Sequence, residues 1–397
     1  MKSADPSAVC VSRVGGAVSQ VARAPFGAWQ MAGAVDVWGA SDYQVDLFKS
    51  ALLRNAMLSS KKSSLKTWWL SEQAGGRTWT LFRDRHRTPE FVVGKMILAM
   101  SYGCSGNVIW QWRNESFGLE SPNFGIVFED GTSTARLARV AQLARAPERH
   151  SEVFEGMRLD EPDVGLVSDW RLRVFEYAAF KEAGRFSEPE VLGWHKALTI
   201  LSANVEILGL EDVVSGGVPP PIKLFIIPLL IQEVPGLYER LLDLVSGGGT
   251  LVVGPYFLVY DEGRFANYEV PPQEYQGLLG FKRREIYYPG EVSISVITER
   301  GALTLKGHHL VEEFELVGGA PIAHFKDVVC GARRDCGSGR PYSFGTLLGT
   351  PSVEDPRGLA ELLPAMLEAA GCRRFPPATS GAVTRLARSL RRPALRL

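Results

Sequence analysis

Three times between residues 34 and 143, a short apolar run gives way to a segment with helical spacing. The runs Ala34–Ser41, Lys66–Ser71 and Asn107–Trp112 read as buried strands. Asp46–Ser59, the segment opening at Thr88, and Thr134–Leu143 read as helices. In the first, Leu47, Phe48, Leu52 and Leu53 share one face. In the second, Thr88 is placed to cap and Pro89 to open the helix, which carries Phe91, Val92, Met96 and Ile97 and ends at Gly103. Such alternation is the mark of α/β architecture. It also sets a limit: a closed eight-fold β/α barrel needs roughly 250 residues, and only about 150 precede the next region. The region is either a small open sheet or the tail of a barrel.

A second α/β region follows. Val164–Ser168, Val205–Leu208, Lys223–Pro228 and Thr250–Gly254 read as strands. Ser187 opens a helix in which Pro189 and Glu190 stand as in a capping box. Pro235–Ser246 is amphipathic and stops at Gly247, Gly248 and Gly249. The expectation is an open, doubly wound sheet. Residues 1–28 carry small, weakly patterned side chains and are expected to be poorly ordered.

Composition narrows the classes of function. Lysine plus arginine equals aspartate plus glutamate at 44 each, so no overall field favours nucleic acid or an anionic membrane. Arg385, Arg388, Arg391, Arg392 and Arg396 make a basic tail, read as a frayed terminus. The apolar stretch around Leu224–Ile231 contains Pro228 and is too short to cross a bilayer. The five cysteines are scattered without a Cys-x-x-Cys pair. No metal site, cofactor or disulfide framework is expected, and the odd count suits a reducing cytoplasm. No secretory leader is read at the start.

The chemistry-bearing residues gather at the strand ends. Ser41-Asp42-Tyr43 ends the first strand, Ser71-Glu72-Gln73 the second, and Trp110-Gln111-Trp112-Arg113 the third. In a β/α barrel these ends converge on one mouth. Indole and phenol faces stack on sugar C–H groups, and a carboxylate among them suits carbohydrate chemistry. A lone Glu after a strand is otherwise a cap or an ion-pair partner, and clustered tryptophans are otherwise core.

These segments resemble glycoside hydrolase family 42 β-galactosidases. Asp36-Val37-Trp38-Gly39-Ala40-Ser41-Asp42-Tyr43 is similar to that family's sixth barrel strand. Trp68-Trp69-Leu70-Ser71-Glu72-Gln73-Ala74-Gly75-Gly76 is similar to its seventh. Trp110-Gln111-Trp112-Arg113 and Gly118-Leu119-Glu120-Ser121-Pro122-Asn123-Phe124-Gly125 are similar to its eighth strand and following loop. Asp130-Gly131-Thr132 and Thr134-Ala135-Arg136 continue the match. Val164–Trp170, Lys223–Pro228, Gly247–Val253 and Gly345–Thr350 resemble the family's middle domain, a class I amidotransferase-like fold that mediates trimer formation.

The resemblance implies an α/β chain. Residues 29–155 would be about strands six to eight of a (β/α)8 barrel, and 160–352 a doubly wound, amidotransferase-like trimerisation domain. Residues 353–397 would begin a truncated β domain, with Gly381–Arg385 as its first strand. It implies a retaining β-galactosidase with Glu72 as nucleophile, Tyr43 as its hydrogen-bond partner and Trp79 as a pocket wall. Trp112, Arg113, Glu120 and Asn123 would bind substrate, with Asn123 standing where the family often has His. The partners implied are a β-galactoside and two further copies of the chain in a homotrimer, with neither nucleic acid nor membrane. The family's acid/base is a Glu preceded by Asn on the fourth strand. Asn114-Glu115 follows the last strand instead and reads as a loop pair. The acid is therefore expected on an upstream fragment that completes the barrel. A non-catalytic oligomerisation protein is the competing reading. An independent amidotransferase is the weaker third: Cys330 and Cys336, with His324 nearby, lie outside any strand-to-helix elbow.

Overall fold

The computed structural model of the chain describes residues 5–13, 31–61, 67–77, 87–118, 120–156 and 159–373. They fall into two compact units that divide between Asp160 and Glu161. Trp79, the segment 381–385 and the basic tail lie outside the described residues.

The first unit holds β1 (Trp38–Asp42), β2 (Trp68–Ala74) and β3 (Cys104–Trp110), parallel and in that spatial order. Helix α1 (Leu47–Ser60) follows β1, α2 (Pro89–Ser101) joins β2 to β3, and α3 (Ala135–Ala144) comes after β3. Each start is fixed by a side-chain cap. Asp46 accepts the Phe48 and Lys49 amides, Thr88 accepts the Phe91 amide ahead of Pro89, and Thr134 accepts the Leu137 amide. Such caps satisfy donors that the helix itself leaves open.

Trp38, Trp68, Leu70, Leu53, Met57, Leu98 and Tyr102 form the core between β1, β2 and the helices. Val92, Met96, Ile126, Val127 and Val140 form a second cluster. Burying each of the aliphatic side chains contributes about 1.5–3 kcal/mol. The two buried indoles are satisfied: Trp38 Nε1 donates to Ser60 Oγ and Trp68 Nε1 to the Tyr102 carbonyl, both at 2.9 Å. These two tryptophans are therefore core.

One correction concerns the first 28 residues. Residues 10–13 do not lie loose but run beside β1. Val11 bridges Val37 in parallel. The Asp36 amide donates to the Cys10 carbonyl at 2.9 Å, and the Ser12 amide to the Val37 carbonyl at 3.1 Å. So short a run has no periodicity of its own; its order comes from the free edge of β1.

The second unit is built on a nine-stranded sheet in the order β10-β9-β12-β13-β14-β7-β6-β4-β5. Its parallel part is β4 (Val164–Val167), β5 (Val205–Leu208), β6 (Leu224–Ile227) and β7 (Thr250–Val253), with β14 (Arg340–Phe344) beside β7. Each of β4, β6 and β7 is buried along its length, as parallel strands covered on both faces must be. Helices α4 (Trp170–Phe180), α5 (Ser187–Ile200), α6 (Leu210–Gly216) and α7 (Leu237–Ser246) alternate with them.

The rest corrects the sequence reading. An open doubly wound sheet describes only the parallel part. After α8 (Gln273–Leu279), the strands β9 (Val292–Thr298), β10 (Gly301–Gly307), β12 (Ala320–Phe325) and β13 (Val328–Arg333) extend the sheet in antiparallel pairs. Strands β8 (Phe281–Tyr287) and β11 (Val311–Leu316) pair separately. Helix α9 (Arg357–Ala369) occupies the first part of the expected C-terminal extension, and the strand expected at 381–385 lies outside the described residues. The capping box at Ser187 is also absent. Glu190 turns instead to the segment 348–350, accepting the amides of Leu348, Gly349 and Thr350 at 3.1, 2.8 and 2.8 Å, and Trp194 Nε1 at 2.9 Å. A buried carboxylate with four or more donors is better satisfied there than at its own helix start.

Candidate active site

The site lies at the carboxyl ends of β1 and β2. Their register pairs Ser41 with Glu72, after a bulge between Ala40 and Ser41. Gly39 makes this packing possible, because a Cβ there would stand 2.3 Å from the Ser12 carbonyl oxygen.

Glu72 is 5% exposed. The Tyr43 hydroxyl donates to its Oε1. Arg13 Nε lies 2.5 Å from its Oε2, and 3.3 Å from Ser41 Oγ. Burial pushes the Tyr43 phenol upward; the hydrogen bond to Glu72 and that carboxylate's charge add to it, Arg13 opposes and Glu120 adds again. Tyr43 is thus held as a protonated donor to an acceptor carboxylate. Its ring meets Phe124 edge to face at 5.5 Å.

Behind the site is a buried charge cluster. Asp42 is fully buried, ion-paired to Arg54 and to Lys95 Nζ at 3.1 Å. Burial alone would raise its carboxyl, but the Arg54 and Lys95 charges outweigh it and hold it well below the usual carboxylate range. Burial brings Lys95 down to about 8, against the pull of Asp42. Lys95 Nζ also donates to the carbonyls of Asp42 and Gln44 at 2.8 and 3.0 Å. Arg87 Nη2 donates to the Tyr43 carbonyl at 2.9 Å. The backbone that carries Tyr43 is therefore gripped by two cations.

The other candidates divide. Trp110 Nε1 donates to Glu120 Oε2 at 3.0 Å, and the Glu120 charge reaches Tyr43. Asn123 is buried, its amide donating to the Glu120 carbonyl at 2.8 Å. Trp112 is 63% exposed and Arg113 is exposed. Among the described residues Glu72 is held by Tyr43 and Arg13, and Trp112 and Arg113 are not drawn to it. Asn114 works within its loop, accepting the Gly125 amide at 2.6 Å and donating to Glu129 at 2.7 Å. Arg13 was missed from the sequence. Its only signal was a lone cation in a weakly patterned stretch.

Among the described residues, no group of three His, Cys, Asp or Glu side chains is placed to hold a metal, and no helix is long and apolar enough to cross a membrane. Cys330 lies in the middle of β13, fully buried, its thiol pushed up to about 12 by that burial. Such a thiol is inert as a nucleophile.

No family model matches the chain. A curated β-galactosidase of Alicyclobacillus acidocaldarius is 23% identical over 323 residues, 78% of this chain and 44% of that protein. The solved β-galactosidase from Bacillus circulans sp. alkalophilus superposes with a TM-score of 0.81 at 18% identity, over 96% of this chain and 56% of that one. A catalytic mutant of a GH42 β-galactosidase from G. stearothermophilus gives 0.78 at 16%, over 94% and 55%. The fold is one shared with β-galactosidases, and the likeness to the GH42 group covers most of this chain. The chain spans about half the length of the β-galactosidases it matches.

Proposed function

We propose that the first unit is the nucleophile-bearing part of a retaining β-galactosidase of the GH42 type, with Glu72 as the attacking carboxylate. The observation that carries this reading is the pairing of Glu72 with Tyr43 at adjacent strand ends. A retaining glycosidase needs an ionised carboxylate beneath the anomeric carbon, held by a donor on one oxygen, and Tyr43 supplies that donor. Glu120, bonded to Trp110 and close to Tyr43, is assigned to sugar hydroxyls, with Asn123 beside it. Trp79, Trp112 and Arg113 belong to the same reading as pocket residues. Residues 29–155 are read as about strands six to eight of the barrel, and 160–352 as the amidotransferase-like trimerisation domain.

The acid/base is assigned to barrel strands that these residues do not include. The buried Ser71 Oγ and both amide atoms of Gln73 have no hydrogen-bond partner among the described residues. Orphans of this kind cost about 1–3 kcal/mol each, and further barrel strands would offer partners. The test is hydrolysis of a nitrophenyl β-galactoside by the chain co-expressed with a fragment bearing the first barrel strands. Activity should appear with the pair and vanish in Glu72→Gln. Activity that survives Glu72→Gln would remove the assignment.

A second reading, a non-catalytic assembly protein, is favoured by one feature. Arg13 occupies the Glu72 oxygen that Tyr43 leaves open, and a carboxylate with neither oxygen open attacks poorly. Absence of hydrolysis in every fragment combination would support it.

A further inference from the structure

The second unit has a hollow where its sheet reverses direction. From β4 the chain moves to β5 on one side; from β6 it moves to β7 on the other, while β4 and β6 are neighbours. In open α/β sheets, ligands enter the crevice outside the carboxyl ends of the two strands at such a reversal. A cavity of about 240 Å³ stands there. Asp169, Arg171 and Phe175 line it from the segment after β4, Ile231 from the segment after β6, and Tyr260 and Arg264 from the loop after β7.

The lining has one open charge. Asp169 holds Arg171 through two bonds of 2.9 Å, so that pair is neutral. Arg264 makes no ion pair with the described residues that the structure records, and it is exposed. Phe175 and Tyr260 stand with ring centroids 6.1 Å apart and form an aromatic wall. Tyr256, Leu258 and Arg264, all in the loop after β7, have φ of 56°, 58° and 66°. Left-handed backbone is uncommon for such residues, and strain of this kind gathers at ligand clamps. The same loop also carries acids near Arg264: Asp261 Oδ1 accepts the Phe265 amide at 2.8 Å, and Glu262 is exposed.

We propose that this hollow binds a small organic carboxylate with a flat apolar body, its anion on Arg264 and its body against Phe175 and Tyr260. The site lies within the second unit and does not depend on a glycosidase reading.

The experiment is calorimetric titration of the full chain with benzoate, with benzamide and inorganic phosphate as comparison probes. Benzoate should bind at least about tenfold more tightly than either, because only it offers both the charge and the ring. Arg264→Asn keeps a residue that tolerates left-handed backbone and should weaken benzoate about tenfold or more, with benzamide unchanged. Ile231→Trp should fill the hollow and abolish binding of both, with an unchanged circular-dichroism spectrum showing that the variant is folded. Equal affinity for benzoate and benzamide, benzoate affinity untouched by either variant, or no binding at all would overturn the proposal.

Discussion

A carboxylate takes its character from its surroundings, and this chain holds contrasting cases. Asp42 is buried yet charged, because Arg54 and Lys95 outweigh the cost of burial. Glu312, equally buried in β11, has one nearby cation, Arg283 at 3.2 Å, and desolvation pushes it up to about 7. The consequence for stability has a definite sign. Unfolding returns Glu312 to an ordinary value near 4.5, so between pH 4.5 and 7 the folded chain binds the extra proton. Its contribution is full below pH 4.5 and is lost as pH rises to about 7. Urea denaturation of the second unit should show this fall, and Glu312→Gln should flatten it. An equal slope in the variant would assign the dependence elsewhere. Glu72, by contrast, was legible in the sequence as a strand-end carboxylate. Its tie to Arg13 was not, because that contact exists only once residues 10–13 have found the edge of β1.

The same division runs through the elements. The cap at Thr88 was readable because it depends on a neighbour three residues away. The cap assigned at Ser187 failed because Glu190 found donors near residue 349 instead. Strand β9 did carry a signal, with Val292, Ile294 and Val296 alternating into the core. Helix α5 packs so closely that its Gly193 matters: a Cβ would lie 1.7 Å from the Gly349 carbonyl oxygen. Gly94 in α2 has nothing within 4 Å of a built Cβ. Gly193→Ala should therefore cost about 1–3 kcal/mol or more through overpacking. Gly94→Ala should add about 0.5–1 kcal/mol by reducing unfolded-state freedom. Denaturation midpoints of the two variants moving the same way would contradict the packing described.

At the scale of the whole molecule, the α/β class could be read from alternation alone, since that pattern needs only local periodicity. The mixed nature of the second sheet could be read only in part, because β9–β10 and β12–β13 are local hairpins while their joining to each other and to the parallel strands depends on longer-range pairing. Assembly also belongs to this scale. The proposed homotrimer predicts a light-scattering mass three times that of the chain, whether or not hydrolysis occurs; a monomer at micromolar concentration would remove the trimerisation reading while leaving Glu72 untouched.

The proposed nucleophile, Glu72, can be tested without an acid partner. A 2,4-dinitrophenyl leaving group departs without protonation, and fluorine at C2 slows breakdown of the glycosyl-enzyme. Treatment of the chain with 2,4-dinitrophenyl 2-deoxy-2-fluoro-β-galactoside, followed by peptide mass spectrometry, should find one fluorogalactosyl group on the peptide containing Glu72, and none in Glu72→Gln. An unlabelled Glu72 peptide, or the same label in the variant, would contradict the account.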